Sequence, residues 1–196
     1  VVGDTNGSLP GFTNAGYGDA FLARYDAAGN QTLLRQIGTV DPEGFEDIAV
    51  DLEGNIYVTG SSAVVATGAS SDVVVMKLNA QGQVLWKRTF GGVYGDVGRA
   101  IAVDNYGYVI VGGETGQHWS QSFDTQYGDA FLMKYAPNGD LVESMIFSPT
   151  DAQAPQFDVI NDYMLGENFI LNNLENSSIE RYLITEYKKA KKMEFE

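Results

Sequence analysis

The sequence predicts an all-β fold of repeated four-stranded antiparallel sheets, followed by a C-terminal amphipathic α-helix. Three observations predict it. Residues 71–115 read as four short strands joined by tight turns, and residues 18–62 repeat that pattern. Residues 128–147, GDAFLMKYAPNGDLVESMIF, repeat its first half. The repeat also has a fixed period: Asp19 to Asp72 and Gly54 to Gly107 are both 53 residues apart, and equal spacing at two independent marks indicates duplication.

Taken in order, residues 1–5 (VVGDT) match the end of a unit, as in VTGSS at 58–62 and VGGET at 111–115. Val1 thus opens inside a strand-like segment, which reads as processing or as part of a longer chain. A linker rich in Gly, Ser, Asn and Pro follows over 6–17, with turn chemistry and no periodicity. The first full unit opens at Gly18 with Ala20, Leu22 and Arg24 alternating against Phe21, Ala23 and Tyr25, the period of a pleated strand. Residues 26–30 (DAAGN) supply a hairpin turn, because glycine readily takes positive φ. Strands are then expected over 31–37, 46–50 and 56–60, the last two joined by the turn 51–55 (DLEGN).

The second unit keeps these marks, with turns at 79–83 and 104–108. The third starts at Gly128 and turns at 136–140. Its second half is degenerate, since Gly107 to Gly166 is 59 residues. Linkers over 60–71 and 113–128 separate the units. The division expected is therefore 1–173 as sheet repeats (units about 18–62, 71–115 and 128–173) and 174–196 as helix. In that tail Ser177 and Glu180 form a capping box. Ile179, Tyr182, Leu183, Tyr187, Ala190 and Met193 fall on one face, and four late lysines complement the helix dipole.

Composition bounds the partners. The chain has 26 acidic residues against 12 basic ones, for a net charge of −14. An acidic surface argues against nucleic-acid binding and against electrostatic membrane attachment. No apolar run reaches the length of a membrane span. Cysteine is absent and there is one histidine, so thiol chemistry is excluded and His-based triads and metal sites are severely limited.

A lone four-stranded meander is barely stable, and stacking copies face to face buries both sides. Closing such a stack into a ring yields a propeller, although three units do not close one alone. The segments GDAFLARYDAAGN (18–30), IAVDLEGNIYVTG (48–60) and GQVLWKRTFGG (82–92) resemble the bacterial SBBP beta-propeller repeat family. The resemblance covers roughly 1–147. It implies propeller-blade sheets in a secreted or surface bacterial protein that serves interaction, and it supplies no catalytic residues.

Two groups of residues are candidates for chemistry. Asp19, Asp72 and Asp129 occupy the same place at the head of each unit. Repeated carboxylates there suit calcium, which prefers oxygen ligands; the competing role is to cap a tight turn. The segment 113–123 carries Glu114, Gln117, His118 and Trp119 on a long connection, where binding residues gather. There the competing role is packing of Trp119 under its own loop.

The function expected is a non-enzymatic, surface-associated repeat module for protein or carbohydrate binding or for assembly. Two alternatives stand beside it: a carbohydrate-active enzyme or lyase framed by these sheets, and a structural subunit of a surface appendage or phage-like particle. No cofactor is expected apart from calcium. Self-association through the sheets or the terminal helix is the expected oligomeric route, and the expected location is extracellular or at the cell surface.

Overall fold

A computed structural model describes residues 1–64, 69–92, 95–116 and 129–147. Eleven strands occupy this stretch: β1 (Val2–Thr5), β2 (Asp19–Tyr25), β3 (Gln31–Ile37), β4 (Glu43–Val50), β5 (Ile56–Val64), β6 (Ala69–Leu78), β7 (Val84–Phe90), β8 (Asp96–Val103), β9 (Val109–Thr115), β10 (Asp129–Tyr135) and β11 (Leu141–Phe147). They form three antiparallel meanders in the orders β1-β2-β3, β4-β5-β6-β7 and β8-β9-β10-β11. The expected C-terminal helix at 174–196, and the degenerate second half of the third unit, lie outside the described residues.

The sheets are out of phase with the sequence repeat. Residues 18–62 give β2 and β3 to the first sheet but β4 and β5 to the second. The connections after β3 and β7 cross between sheets, whereas the expected inter-unit linkers join neighbouring strands within one sheet. The hairpin at 60–71 joins β5 to β6, whose register pairs Ser62 with Asp72 and Gly60 with Val74.

Five hairpin turns share one construction. In each, the glycine N–H donates to the carbonyl three residues earlier, as Gly29 does to Asp26 at 3.0 Å. Gly29, Gly54, Gly82, Gly107 and Gly139 all have φ between 74° and 84°, the left-handed region where a side chain is strained. The first residue of the turn holds it from outside: Asp26 Oδ1 accepts the N–H groups of Ala28 and Asn30, and Asp51 and Asn79 do the same in their turns. Asp26, Asp51 and Asp104 are therefore turn residues, as their spacing to glycine implies.

Two apolar layers join the sheets. Ala20, Leu22 and Leu33 of the first sheet pack on Phe45, Ile56, Val58, Val74 and Met76 of the second. Tyr57, Val73 and Val75 from the opposite face of the second sheet pack on Ile101, Val111, Phe131 and Met133 of the third. The second sheet is thus covered on both faces. The sheets converge at β4 and β8 and splay toward β3, β7 and β11, the fan that right-handed strand twist produces when sheets stack.

The splayed edges are tied by arginines. Arg35 of β3 donates from Nε to Gly82 O at 3.3 Å and from Nη2 to Gln81 O. One repeat on, Arg88 of β7 donates from Nε to Gly139 O at 2.7 Å and from Nη2 to Asn138 O at 3.4 Å. Each outer strand therefore grips the glycine turn of the following sheet. Trp86 is half-buried in this seam, against Tyr57 and Tyr135, with Nε1 donating to Pro137 O at 3.1 Å.

Candidate functional site: the loop end and its carboxylate rows

The register fixes what stands at each end of the sheets. The glycine turns form one end. The other carries the connection 6–18, the strand ends Val64, Ala69, Thr115 and Asp129, and the points where the chain passes from β3 to β4 and from β7 to β8. Here the first strand pairs set Thr5 opposite Asp19, Ser62 between Glu43 and Asp72, and Thr115 between Asp96 and Asp129. A row of acid and hydroxyl residues thus crosses the loop end of every sheet. Asp19 and Asp72, predicted as candidates, stand in these rows. Asp129 does so by its backbone register; its side chain lies outside the described residues.

An acid of one sheet and an acid of the next flank each sheet boundary. At the first boundary Asp19 is buried, and its Oδ2 accepts Ala15 N–H at 3.0 Å and Gln36 Nε2 at 2.7 Å. The same Gln36 holds the loop, accepting Leu9 N–H at 2.8 Å. Glu43 is also buried, taking the Thr39 N–H on Oε2 at 2.9 Å and the Thr39 hydroxyl on Oε1 at 2.5 Å. The donors to this pair come from the loop residues Ala15 and Thr39 and from Gln36 at the end of β3.

At the second boundary the equivalents are Asp72 and Asp96. A Cβ placed on Gly91 would lie 2.1 Å from Asp72 Oδ1 and 2.8 Å from Asp96 Oδ2, so both carboxylates converge on the space that only glycine leaves open. Asp96 is 0% exposed; its Oδ2 accepts Gly92 N–H at 3.0 Å, while its Oδ1 has no hydrogen-bond partner. Burial, and then the neighbouring Asp96 charge, push the Asp72 carboxyl above the usual carboxylate range. Glu43 and Asp96 were missed in the sequence, although they are spaced by the same 53 residues.

Glu114, the described member of the 114–119 candidate set, is held in an ion pair. Arg99 Nε donates to Glu114 Oε1 at 2.8 Å, Nη2 of the same guanidinium also bonds it, and Nη1 lies 3.4 Å from Glu46 Oε1 of the second sheet. Glu46 and Arg99 are the extra residues of two β-bulges at the same repeat position, and bulges re-aim side chains in this way. Gln117, His118 and Trp119 lie outside the described residues. Among the described residues, no group of three or more His, Cys, Asp or Glu stands close enough to hold a metal, and no helix is long and apolar enough to cross a membrane.

The chain is therefore a repeat protein of stacked antiparallel meanders, with clamped turns at one end and loops over carboxylates at the other. Residues 46–64 match the SBBP beta-propeller repeat, a segment that spans the bulge residue Glu46, the turn 51–55 and β5. The chain is also similar to the "Regulatory protein FlaEY" of Caulobacter vibrioides, 26% identical over 176 residues, covering 82% of this chain and 18% of that protein. It thus spans less than a fifth of that relative's length.

Proposed function

We propose that this chain is a non-enzymatic, surface-associated segment of a beta-propeller that binds a protein ligand at its loop end. One observation carries the reading: the two ends are built differently. At the turn end five equivalent hairpins close on themselves and two are gripped by arginine. The loop end instead presents the long connection 6–18, seated on buried acids, with Tyr17 largely exposed. Loops on a rigid scaffold are where recognition is placed. The fan of sheets and the propeller-repeat match support the blade architecture. A relative named as a regulatory protein is consistent with action through a partner. The net charge of −14 favours a ligand with a basic face.

The test is a binding screen of the purified chain against basic surface proteins and a glycan array, repeated with Thr13→Ala/Tyr17→Ala. Protein binding that weakens at least tenfold in the variant, at an unchanged melting temperature, supports the proposal. Binding indifferent to the change would place the ligand elsewhere. Release of reducing sugar from a glycan would favour an enzyme.

A further inference from the structure

We propose that the Asp72–Asp96 boundary is a single hard-cation site, suited to calcium, between the second and third sheets. The inference rests on a difference between two equivalent places. At the first boundary the acids Asp19 and Glu43 are supplied with side-chain donors, the Gln36 amide and the Thr39 hydroxyl. One repeat on, the acids are retained as Asp72 and Asp96, but Thr89 stands in place of Gln36 and Gly92 in place of Thr39. The Gly92 N–H still bonds Asp96 Oδ2, and the oxygen that would correspond to the hydroxyl acceptor, Oδ1, is left bare on a residue with no solvent exposure.

A buried carboxylate oxygen without a donor is strongly unfavourable unless a positive group meets it. No described arginine or lysine does so: Arg88 and Arg99 are engaged by Gly139 and Glu114. Two carboxylates converging on one glycine present oxygens of the kind calcium takes, and Ser71 Oγ lines the same loop, 3.5 Å from a Cβ placed on Gly95. With water completing the shell, two acids make a weak site, with a dissociation constant on the order of 10⁻⁴–10⁻³ M. The first boundary, already satisfied, binds none, so the stoichiometry is one ion per chain, not one per repeated aspartate.

The experiment uses the full chain stripped with chelator, titrated with calcium chloride by calorimetry and by thermal melting. Calcium at about 100 times the dissociation constant is expected to raise the melting temperature by roughly 5–10 °C, with one site by calorimetry. Asp72→Asn and Asp96→Asn should each abolish most of that rise, while Asp140→Asn at the turn end keeps it. If one variant fails to fold, the other still decides. No rise in the wild type, or an equal rise in both variants, overturns the proposal. So does a calcium-insensitive wild type that becomes more stable from pH 7 to pH 5, the behaviour of an acid pair sharing a proton.

Discussion

At the scale of single residues, two glycines illustrate two different demands. Gly29 sits at φ 84° with open space around its missing side chain, so Gly29→Ala costs only the left-handed conformation, about 1 kcal/mol. Gly60 has no such φ, but a Cβ there would lie 2.0 Å from Gly44 O across the bulge at Glu46. Backbone cannot yield as a side chain can, so Gly60→Ala should cost about 3 kcal/mol. Urea denaturation ranks the two, and a reversed order would refute this account of the bulge. Asp51 gives a residue-scale prediction in pH. Its partial burial pulls the carboxyl up, but bonds from Asn55, the Tyr57 hydroxyl and Glu53 N–H outweigh this and leave it below the ordinary value of 3.8. A lowered carboxyl binds fewer protons when folded. The stability it confers is therefore present above about pH 4 and lost as pH falls through the folded value. Tyr57, fully buried, donates to Asp51 at 3.0 Å. Tyr57→Phe should cost about 1.5 kcal/mol at pH 7 and progressively less as pH falls through the folded value of Asp51, as read from urea midpoints across an acid series.

At the scale of elements, the arginine grip is the tie between one sheet's outer strand and the next sheet's turn. Arg88 bonds two turn carbonyls and stacks 5.7 Å from the Trp86 ring. Its ion pair to Asp140, at 3.9 Å and largely exposed, adds little. Arg88→Ala should destabilise by about 1–2 kcal/mol. It should also speed amide exchange in the turn 136–140 more than in the equivalent turn at 79–83, which Arg35 holds. Lysine at 88 should not restore protection, since one ammonium cannot reproduce the planar fork. This grip also shows which features the sequence could reveal. The strand Asp19–Tyr25 and the five turns were legible because alternation and glycine spacing are local signals. The strands expected at 46–50 and 56–60 extend to Glu43–Val50 and Ile56–Val64, because the bulge at Glu46 and a second register shift between Ser62 and Val64 break the alternation that marks a strand. The half-repeat offset between unit and sheet was hidden for a related reason: equal periods fix how often a pattern recurs, not where the chain crosses from one sheet to the next. Arg35 and Arg88 share the 53-residue spacing, yet their partners lie in the following sheet. Likewise, Asp19 and Asp72 were visible as candidates, whereas Glu43 and Asp96 gain meaning only when the crossing brings them beneath the loops.

At the scale of the whole molecule, the same repeat position reports what covers each sheet. Leu78 is 0% exposed and Tyr135 4%, each against the preceding sheet, while their equivalent Tyr25 in the first sheet is 52% exposed. A neighbouring feature agrees. No described arginine grips its turn at Ala28 and Gly29, the counterparts of Gln81 and Gly82. A face of this kind would seat another sheet of the same repeat if that sheet's outer strand carried an arginine at the Arg35 position. The third sheet of a second copy does not meet that requirement, because Met145 occupies the position. The prediction separates a seat from an ordinary surface. In the chain as it stands, Tyr25→Lys should change stability by no more than about 0.5 kcal/mol, as at any exposed site. Leu78→Lys should cost at least about 4 kcal/mol, since it buries an unpaired charge. With an arginine-bearing repeat joined ahead of β1, Tyr25→Lys should become as costly as Leu78→Lys. Urea denaturation of the two lengths measures both. If lysine at 25 remains harmless in the longer chain, the face is a finished surface, and the stack begins at the first sheet.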